Sequence, residues 1–304
     1  MMRVRVLGSA AGGGFPQWNC ACQNCRGVRE GRLSAEPRTQ DCVSVEAGGH
    51  RWLLNASPEI RQQLLVASLF PRAPRQAPVA GIFLTNADLD HCLGLLSLRE
   101  GTRLELYTTR AIRESFVEGN VLYRALQRFP GHVTWHDLPL GREQEVPVQG
   151  AASGLLVTAI EAPGKPPLYR EGLRAGEPGD NVALWLRDAR SGRQLLYAPG
   201  VAYLNTALLT ALASADAVLF DGTFWSSTEL PDLGLGTRRA EDMAHLPIGG
   251  PEGSLRLVQA PRARHRIYTH VNNTNPVLVD DSRERASVRA AGWEVAFDGL
   301  EIEL

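Results

Sequence analysis

Long apolar runs are missing from this 304-residue sequence, and none approaches the roughly 18 residues that a membrane-spanning helix requires. The formal net charge is also close to zero, at −1. Because 32 basic residues are balanced by 33 acidic ones, we expect neither nucleic acid nor an anionic membrane surface as a partner. The N-terminus alternates charged and apolar residues, so it lacks the continuous apolar stretch of a secretory signal. These absences predict a cytosolic protein.

The sequence contains no low-complexity linker and no internal repeat. With 44% hydrophobic and 21% charged residues, it has the composition of an ordinary globular protein. Residues 147–154 carry a weak boundary signal, but we expect a single domain over residues 1–304. Residues 170–181, rich in glycine and charged side chains, predict a loop that could cover a site.

Short β-branched or apolar segments alternate with helical patterns along the chain, which is the order of elements in an α/β fold. Predicted strands cover residues 3–7, 51–54, 79–84, 104–107, 155–160, 182–186, 194–197, 217–220, 266–269 and 294–297. Because these strands group at the front, in the middle and at the C-terminus, we expect two strand-rich layers within one domain.

Three segments predict helices. In residues 57–68, Ser57 is expected as the N-cap, with Pro58 at the first helical position. Residues 204–215 and 281–292 have the amphipathic pattern of surface helices, and Gly292 is expected to end the second of these.

The five cysteines are an odd number, and three of them, Cys20, Cys22 and Cys25, lie within six residues. In a protein expected in the cytosol, this spacing favours metal or redox chemistry over a disulfide. A tight loop can turn three sulfurs toward one ion, and a structural zinc site takes four ligands. Cys42, the region around His270 and water are all open as the source of the fourth. Three ordinary buried cysteines are the alternative, and we predict structural zinc.

Three predicted strands each end in acidic or histidine side chains. Asp88, Asp90 and His91 follow the strand at 79–84, Asp221 follows the strand at 217–220, and His270 follows the strand at 266–269. Ligands in α/β folds bind at the carboxyl ends of strands. Each side chain alone could be a helix cap or a turn residue. Because the pattern occurs three times, we predict a metal site.

His245 is a further candidate, although the alternative is a histidine that only caps a helix end. Cys92 lies at the start of a predicted helix and is expected in the core. Four other residues are named as substrate contacts only because they lie near these motifs in sequence: Tyr203, Trp225, Arg170 and Asn273.

These motifs resemble the metallo-β-lactamase superfamily and, more closely, the pyrroloquinoline quinone (PQQ) biosynthesis protein B family. The resemblance is carried by GSAAGGGFPQWNCACQNC, NASPEIRQQL, TNADLDHCLGLLSLRE, LLYAPGVAYL, DGTFW, MAHLPIGG and THVNNTNP, which span almost the whole chain. It implies a metallo-β-lactamase-like four-layer αββα sandwich, with metal ligands at strand ends along one edge and an N-terminal C-x-C-x-x-C zinc loop.

The superfamily's His-x-His-x-Asp-His motif falls on Asn86, Asp88, Asp90 and His91. No histidine follows the strand at 155–160, where the superfamily has another ligand, and Asn55 replaces an aspartate that commonly ends the second strand. The resemblance therefore implies that one of two metal sites is lost. The ligands of the other are all present: Asp90, His91, Asp221 and His270.

Two imidazoles with carboxylates are the ligand set of non-haem Fe(II) oxygenases, although zinc accepts the same ligands. The resemblance implies a role in PQQ biosynthesis: O₂-dependent hydroxylation of the tyrosine ring of a cross-linked Glu-Tyr precursor. Asp88 is expected as an additional ligand or hydrogen-bond partner, and His245 as a proton donor or acceptor. A hydrolase and a soluble carrier of PQQ or its precursor are the alternatives. The oligomeric state is open, a homodimer included.

Overall fold

In the computed structural model, which describes residues 1–100, 102–128 and 130–304, the strands form two sheets of seven strands each. The first sheet has the order β14-β1-β2-β3-β4-β5-β6. Its strands are β1 (Arg3–Gly8), β2 (Cys42–Ala47), β3 (His50–Leu54), β4 (Gly81–Phe83), β5 (Leu104–Thr108), β6 (Val133–Asp137) and β14 (Glu301–Glu303). The strands from β3 to β6 run parallel, so their carboxyl ends meet at one edge.

The second sheet has the order β13-β12-β11-β10-β9-β8-β7. Its strands are β7 (Gln144–Val148), β8 (Ala151–Glu161), β9 (Val182–Asp188), β10 (Gln194–Ala198), β11 (Ala217–Asp221), β12 (His265–Thr269) and β13 (Glu294–Val295). The strands from β10 to β13 are parallel, while β7, β8 and β9 pair antiparallel. Both sheets are therefore mixed.

The alternation of side chains along a strand explains how the second sheet is covered on both faces. In β11, Leu219 belongs to the apolar core shared with the first sheet, whereas Val218 and Phe220 belong to a second core. That second core also contains Leu208 and Leu212 of a covering helix. A strand buried on both faces reads as a continuous apolar run, as β11 does.

The described helices are α1 (Gln23–Arg29), α2 (Ile60–Val66), α3 (Leu89–Cys92), α4 (Arg110–Gly119), α5 (Tyr123–Gln127), α6 (Thr206–Ser214), α7 (Glu229–Asp232), α8 (Ser254–Leu257) and α9 (Arg283–Ala290). The side chain of Asn205 caps α6, and Gly292 follows the end of α9 in the left-handed conformation, as expected for a helix stop.

The predicted cap of α2 is wrong. This helix begins at Ile60 with Glu59 at the N-cap position, and residues 57–59 form a turn before it. The Ser57 hydroxyl instead donates to Gln63 Oε1 at 2.8 Å. Ser57 is fully buried, and a buried hydroxyl is stabilised by whichever partner the packing offers, here a side chain rather than a backbone amide.

All ten predicted strands overlap strands of the structure, and four further strands were not predicted: β2, β6, β7 and β14. The β2–β3 hairpin has a two-residue turn, Gly48–Gly49, in which both residues have positive φ. That is the signal of a type I′ hairpin, and it could have revealed β2. The other three are edge strands, two of them charged or exposed and one with a proline, so they lack a continuous apolar pattern.

The weak boundary signal at residues 147–154 corresponds to the hairpin between β7 and β8, which lie in the same sheet. Residues 171–181 form an irregular loop, as predicted. Among the described helices, none has both the length and the apolar character needed to cross a membrane.

Backbone hydrogen bonds join the two sheets at the edge where their parallel strands end. Val271 N donates to Ser9 O at 2.9 Å, and Ala11 N donates to Val271 O at 3.0 Å. Val182 N, at the start of β9, donates to Thr85 O just after β4 at 2.8 Å. These bonds join the segment after β1 to the segment after β12, and the segment after β4 to the start of β9.

Candidate metal centre

Asp90 and His91 lie in α3, the four-residue helix that follows β4. The turn from strand to helix places both side chains at the edge where the two sheets meet. His91 Nε2 lies 3.6 Å from Asp90 Oδ2. The His91 side chain is almost completely buried, whereas Asp90 is 17% exposed.

Asp221 and His270 reach the same place from the second sheet. Asp221 is the last residue of β11 and is fully buried, and His270 directly follows β12. His270 Nε2 lies 3.2 Å from Asp90 Oδ2, and the rings of His91 and His270 meet edge to face with centroids 5.0 Å apart. The positive φ of 56° at His270 is rare for a residue with a side chain, and such strain concentrates at functional sites.

His245 also belongs to this centre. Its Nδ1 lies 2.8 Å from Asp221 Oδ2, and its ring stacks on that of His270 with centroids 5.5 Å apart. The Thr223 hydroxyl lies between the two imidazoles, 3.1 Å from His245 Nδ1 and 2.9 Å from His270 Nδ1. The structure therefore brings His245 to the four residues predicted as ligands.

Two overlapping groups of side chains could hold a cation here. One is Asp90, His91 and His270, the other is Asp221, His245 and His270, and His270 is common to both. In each group the potential ligand atoms all lie within 4.8 Å of one another. The four predicted ligands converge, and His245 joins them.

The electrostatics of the first group fit a cation. Burial lowers the pKa of His91 to about 4, so its imidazole is neutral and able to bind a metal. Burial opposes ionisation of Asp90, but the nearby histidines His91 and His270 hold the pKa of its carboxyl below the usual range. His91 Nε2 is buried and has no hydrogen-bond partner among the described residues. A buried imidazole nitrogen beside a carboxylate, with no hydrogen-bond partner of its own, fits the role of a metal ligand.

Asp88, predicted as an additional ligand or hydrogen-bond partner, belongs to neither group in the described part of the chain. Its Oδ1 accepts a hydrogen bond from Leu168 N at 3.2 Å, and Tyr169 donates to Ala87 O at 2.9 Å. Asp88 therefore ties the turn after β4 to the segment that leads into the 171–181 loop. Burial and the charge of Asp90 raise the pKa of Asp88 to about 6.

Several residues surround His91, and of these only Asn55 was singled out in the sequence. His91 Nδ1 lies 3.1 Å from both Asn55 Nδ2 and Thr85 Oγ1. Beyond them lie Tyr197 and Asp41, both fully buried. Asp41 directly precedes β2. Because β2 was not predicted, Asp41 was not recognised as a residue at a strand end.

The three cysteines of the N-terminal loop converge as predicted. Their sulfurs lie within 4.8 Å of one another, and Cys22 occupies the N-cap position of α1. Burial opposes ionisation of Cys20, but hydrogen bonds from Cys22, Cys25 and Asn273 lower the pKa of its thiol. Burial and the neighbouring sulfurs raise the pKa of Cys22 to about 11. Three crowded sulfurs do not all ionise without a cation to offset their repulsion.

Asn273 faces all three sulfurs. Its Nδ2 lies 3.2 Å from Cys20 Sγ, 3.7 Å from Cys22 Sγ and 3.3 Å from Cys25 Sγ. Asn273 belongs to the region around His270 that was one of the open sources of a fourth ligand. Cys42, another of them, is buried elsewhere with its thiol donating to Asn55 O at 3.3 Å. The substrate-contact guess for Asn273 does not match this position. Cys92 is fully buried in the core, as expected.

A cavity of about 700 Å³ lies at the other end of the parallel strands. It is lined by residues at the starts of β3, β4 and β5, among them Arg51 and Arg103. Both arginines are paired with glutamates, Arg51 with Glu46 and Arg103 with Glu105. We place the candidate site at the metal-ligating side chains and not in this cavity. The arginines that line the cavity are already paired, whereas the Asp/His cluster offers groups that can bind a metal.

Comparison with known proteins identifies the family and the fold. Residues 50–271 match the model of the β-lactamase superfamily domain. Coenzyme PQQ synthesis protein B of Cupriavidus necator is 46% identical over 309 residues, and the match covers 100% of both chains. The chain belongs to the coenzyme PQQ synthesis protein B family. The family's member from Stutzerimonas stutzeri is 42% identical, again over 100% of each chain.

A solved structure of the PQQ synthesis protein B family supports the fold as well. The crystal structure of Zn²⁺-bound PqqB from Methylobacterium extorquens superimposes with a TM-score of 0.90 at 39% identity, covering 99% of this chain and 100% of that one. The predicted family and the metallo-β-lactamase fold, with two mixed sheets and covering helices, are confirmed.

Proposed function

We propose that this PQQ synthesis protein B family member hydroxylates the tyrosine ring of a cross-linked Glu-Tyr precursor, using one iron ion and O₂. Family membership supports the place in PQQ biosynthesis. The reaction inserts one oxygen atom of O₂ into a ring C–H bond, and the other atom leaves as water. The two additional electrons come from a reductant.

The observation that carries the proposal is the convergence of His91 Nε2, His270 Nε2 and Asp90 Oδ2. Two imidazoles and a carboxylate with open positions are the ligand set of non-haem iron oxygenases. His91 Nε2, buried and unpaired among the described residues, is the atom that most needs a cation. Asp221 belongs to the overlapping group that shares His270, and we propose it as the fourth ligand.

Bound Fe(II) would activate O₂, and the side chains of the protein would balance the charge of the ion and transfer protons. Asp90 carries the negative charge that offsets the cation. We propose that His245, which is hydrogen bonded to Asp221 and 16% exposed, accepts the ring proton or delivers a proton to the oxygen atom that leaves as water. Asp88 accepts a hydrogen bond from Leu168 N and so holds the segment that leads into the 171–181 loop.

We also propose a structural zinc ion held by Cys20, Cys22 and Cys25. Three sulfurs that all lie within 4.8 Å of one another support it, because zinc binds thiolates in structural sites. The Asn273 amide donates to Cys20 Sγ and Cys25 Sγ, which stabilises negative charge on these sulfurs. Zinc here would hold the N-terminal loop against the segment that follows β12.

The test is anaerobic loading with Fe(II), followed by addition of ¹⁸O₂ and a synthetic cross-linked Glu-Tyr peptide. We expect oxygen uptake, together with ¹⁸O in a ring hydroxyl detected by mass spectrometry. The Zn(II)-loaded protein is the control for redox chemistry, and Asp90→Ala is the control for the site. Iron bound at about one per chain without oxygen uptake would contradict the hydroxylase and favour a carrier. Bond cleavage with oxygen taken from water would favour a hydrolase.

A further inference from the structure

The Asp/His centre, formed by Asp90, His91, Asp221, His245 and His270, is open to solvent at two of its side chains. Asp90 and His245 are 17% and 16% exposed, whereas none of the other three exceeds 7%. Gly200 borders the same opening, because a Cβ added there would lie 3.8 Å from His245 Cε1. A ligand that approaches the metal therefore passes Asp90 and His245.

The segment that follows β8 lies beside this opening. Pro163 O accepts from Ala202 N at 2.8 Å, and Leu168 N donates to Asp88 Oδ1 at 3.2 Å. Ala202 and Asp88 each lie two residues from a position that borders the opening. Because the segment is anchored on both sides of the opening, Lys165, between the two anchors, lies near the metal centre.

Lys165 is the only lysine of the chain. Asn181 Nδ2 donates to its carbonyl oxygen at 3.0 Å, which holds its backbone in place. Its ammonium forms an ion pair with Glu171 Oε1, and Arg238 Nη2 lies 3.2 Å from Glu171 Oε2. Because two cations share one carboxylate, that carboxylate neutralises neither of them completely.

Arg238 belongs to the turn that carries His245. Arg238 Nη2 donates to Asp242 O at 3.0 Å, and His245 N donates to Ala240 O at 3.0 Å. The shared carboxylate therefore holds the Lys165 ammonium beside the segment of His245, one of the two exposed side chains of the metal centre.

The Lys165 ammonium keeps donors for a ligand. An ammonium carries three hydrogens, and among the described residues Glu171 is its only hydrogen-bond partner. The side chain is 25% exposed, so a ligand can reach it. Burial and the charge of Asp90 raise the pKa of Asp88, and the charge of Lys165 acts against them, so this cation lies within electrostatic range of the metal centre. A cation with unused donors at such a place suits a carboxylate.

We propose that Lys165 binds a carboxylate of the substrate and thereby orients the substrate ring at the metal. The inference rests on the proposed function for the identity of the ligand, since a cross-linked Glu-Tyr compound carries a carboxylate on its glutamate part. In this role Lys165 determines which compounds bind and transfers no proton.

Lysine labelled with ¹³C at Cε gives a direct test by NMR, because a single lysine gives a single labelled side chain. The probes are a synthetic cross-linked Glu-Tyr compound and its methyl ester, added to the protein loaded with redox-inactive Zn(II). We expect the compound to shift the Lys165 signal and the ester to leave it unchanged. By calorimetry the ester should bind about 10-fold more weakly, because it loses a charge-assisted hydrogen bond at a partly exposed site.

Lys165→Met removes the charge and should raise the Kd of the compound about 10-fold, whereas Lys165→Arg should keep most of the affinity. The metal content of both variants should match that of the unsubstituted protein, because Lys165 is not a ligand. The matched control is Arg187→Met, which removes a cation from an ion pair with Glu143 near the C-terminal end of β9. This control should leave the Kd unchanged.

Glu171→Gln separates recognition from a structural role. The amide oxygen still accepts from Lys165, but it no longer competes for the charge of the ammonium, so the Kd of the compound should fall a few-fold. If the ion pair only held the segment after β8 in place, Glu171→Gln and Lys165→Met would both weaken binding. That outcome would overturn the inference.

The remaining outcomes distinguish the inference from the proposed function. An unchanged Kd in Lys165→Met, or equal binding of compound and ester, overturns carboxylate recognition by Lys165 even if the iron-loaded protein oxidises the compound. A shifted Lys165 signal and a raised Kd in Lys165→Met, without oxygen uptake by the iron-loaded protein, support the recognition and overturn the hydroxylase. Absence of binding to the unsubstituted protein overturns both.

Discussion

The two candidate metal clusters differ in how the chain assembles them. The thiol cluster takes all three sulfurs from residues 20–25, within one loop and the first turn of a helix. The Asp/His centre takes its side chains from positions 90, 91, 221, 245 and 270, which lie in or between elements connected to strands of both sheets. A local cluster depends on a turn, whereas the distributed one depends on the whole fold. Loss of the fold should therefore abolish the second before the first.

The segment after β12 connects the two clusters. His270 faces the Asp/His centre, and Asn273, three residues later, faces the sulfurs. Asn24, which lies in α1 between Cys22 and Cys25, donates to Asn273 O at 3.2 Å and to Asn275 O at 3.0 Å. The two clusters are assembled differently, but both contact the segment after β12. A substitution at one cluster therefore tests whether metal binding at the other depends on it.

The largest expected effect is at His270, the residue common to both groups of the Asp/His centre. His270→Ala should abolish metal binding there and leave the thiol cluster occupied, because the core of the protein does not depend on this side chain. Metal analysis of the purified variant, with circular dichroism as the check on folding, measures both. Asp90→Ala and His91→Ala should behave in the same way. A full complement of redox-active metal in these variants would contradict the ligand assignment.

Cys22→Ser addresses the local cluster. Binding of a structural metal contributes folding free energy directly, so removal of one sulfur should lower the free energy of unfolding by several kcal/mol. The measurement is thermal unfolding of both proteins with and without a chelator, which should destabilise the unsubstituted chain more than the variant. Cys92→Ser is a poor comparison because Cys92 is in the core, whereas Ser214→Ala, at a partly exposed position far from the cysteines in sequence, is a suitable control. Equal stability of Cys22→Ser and the unsubstituted protein would contradict a structural zinc.

Glu229 offers a pH-dependent test of the support between the clusters. Its carboxylate accepts from Trp225 N at 2.6 Å and from the Thr274 hydroxyl, and burial raises its pKa from 4.5 to about 7. The folded protein therefore binds a proton that the unfolded chain releases between these values, so stability decreases as pH rises from about 4.5 to about 7.

Glu229→Gln should remove that dependence, since an amide can accept from Trp225 N and donate to the Thr274 hydroxyl. The variant should gain stability relative to the unsubstituted protein above pH 7, by up to about 3 kcal/mol, and lose this advantage below pH 4.5. Urea unfolding at pH 5 and pH 8 measures the difference. A difference that is the same at both pH values would show that Glu229 does not titrate in this way.

The smallest expected effect is at Asn24. Asn24→Ala removes two hydrogen bonds to the segment after β12 and should lower stability by about 2 kcal/mol. If the shared support matters, metal affinity at the Asp/His centre should also fall slightly, although Asn24 contacts none of its ligands. Calorimetric titration with Co²⁺ tests this. An unchanged affinity at the Asp/His centre would show that the two clusters are independent.

Much of the fold was predictable, because the strands that carry the site are buried and read as apolar runs. Asp221 and His270 were recognised as site residues because each directly follows such a run. The strands that escaped prediction are a glycine-linked hairpin strand and edge strands whose side chains are partly exposed. The ligand roles themselves stay predictions until metal is measured.

The sequence by itself determined the three-cysteine loop, the family, and which strand ends carry acidic and histidine side chains, because each of these is a local pattern. Only the tertiary structure decided that His245 stacks on His270, that Asn273 faces the thiols, and that Asp41 reaches His91 through Tyr197 and Asn55. Such contacts depend on the register of strands and on how two sheets meet, and no spacing along the chain encodes them.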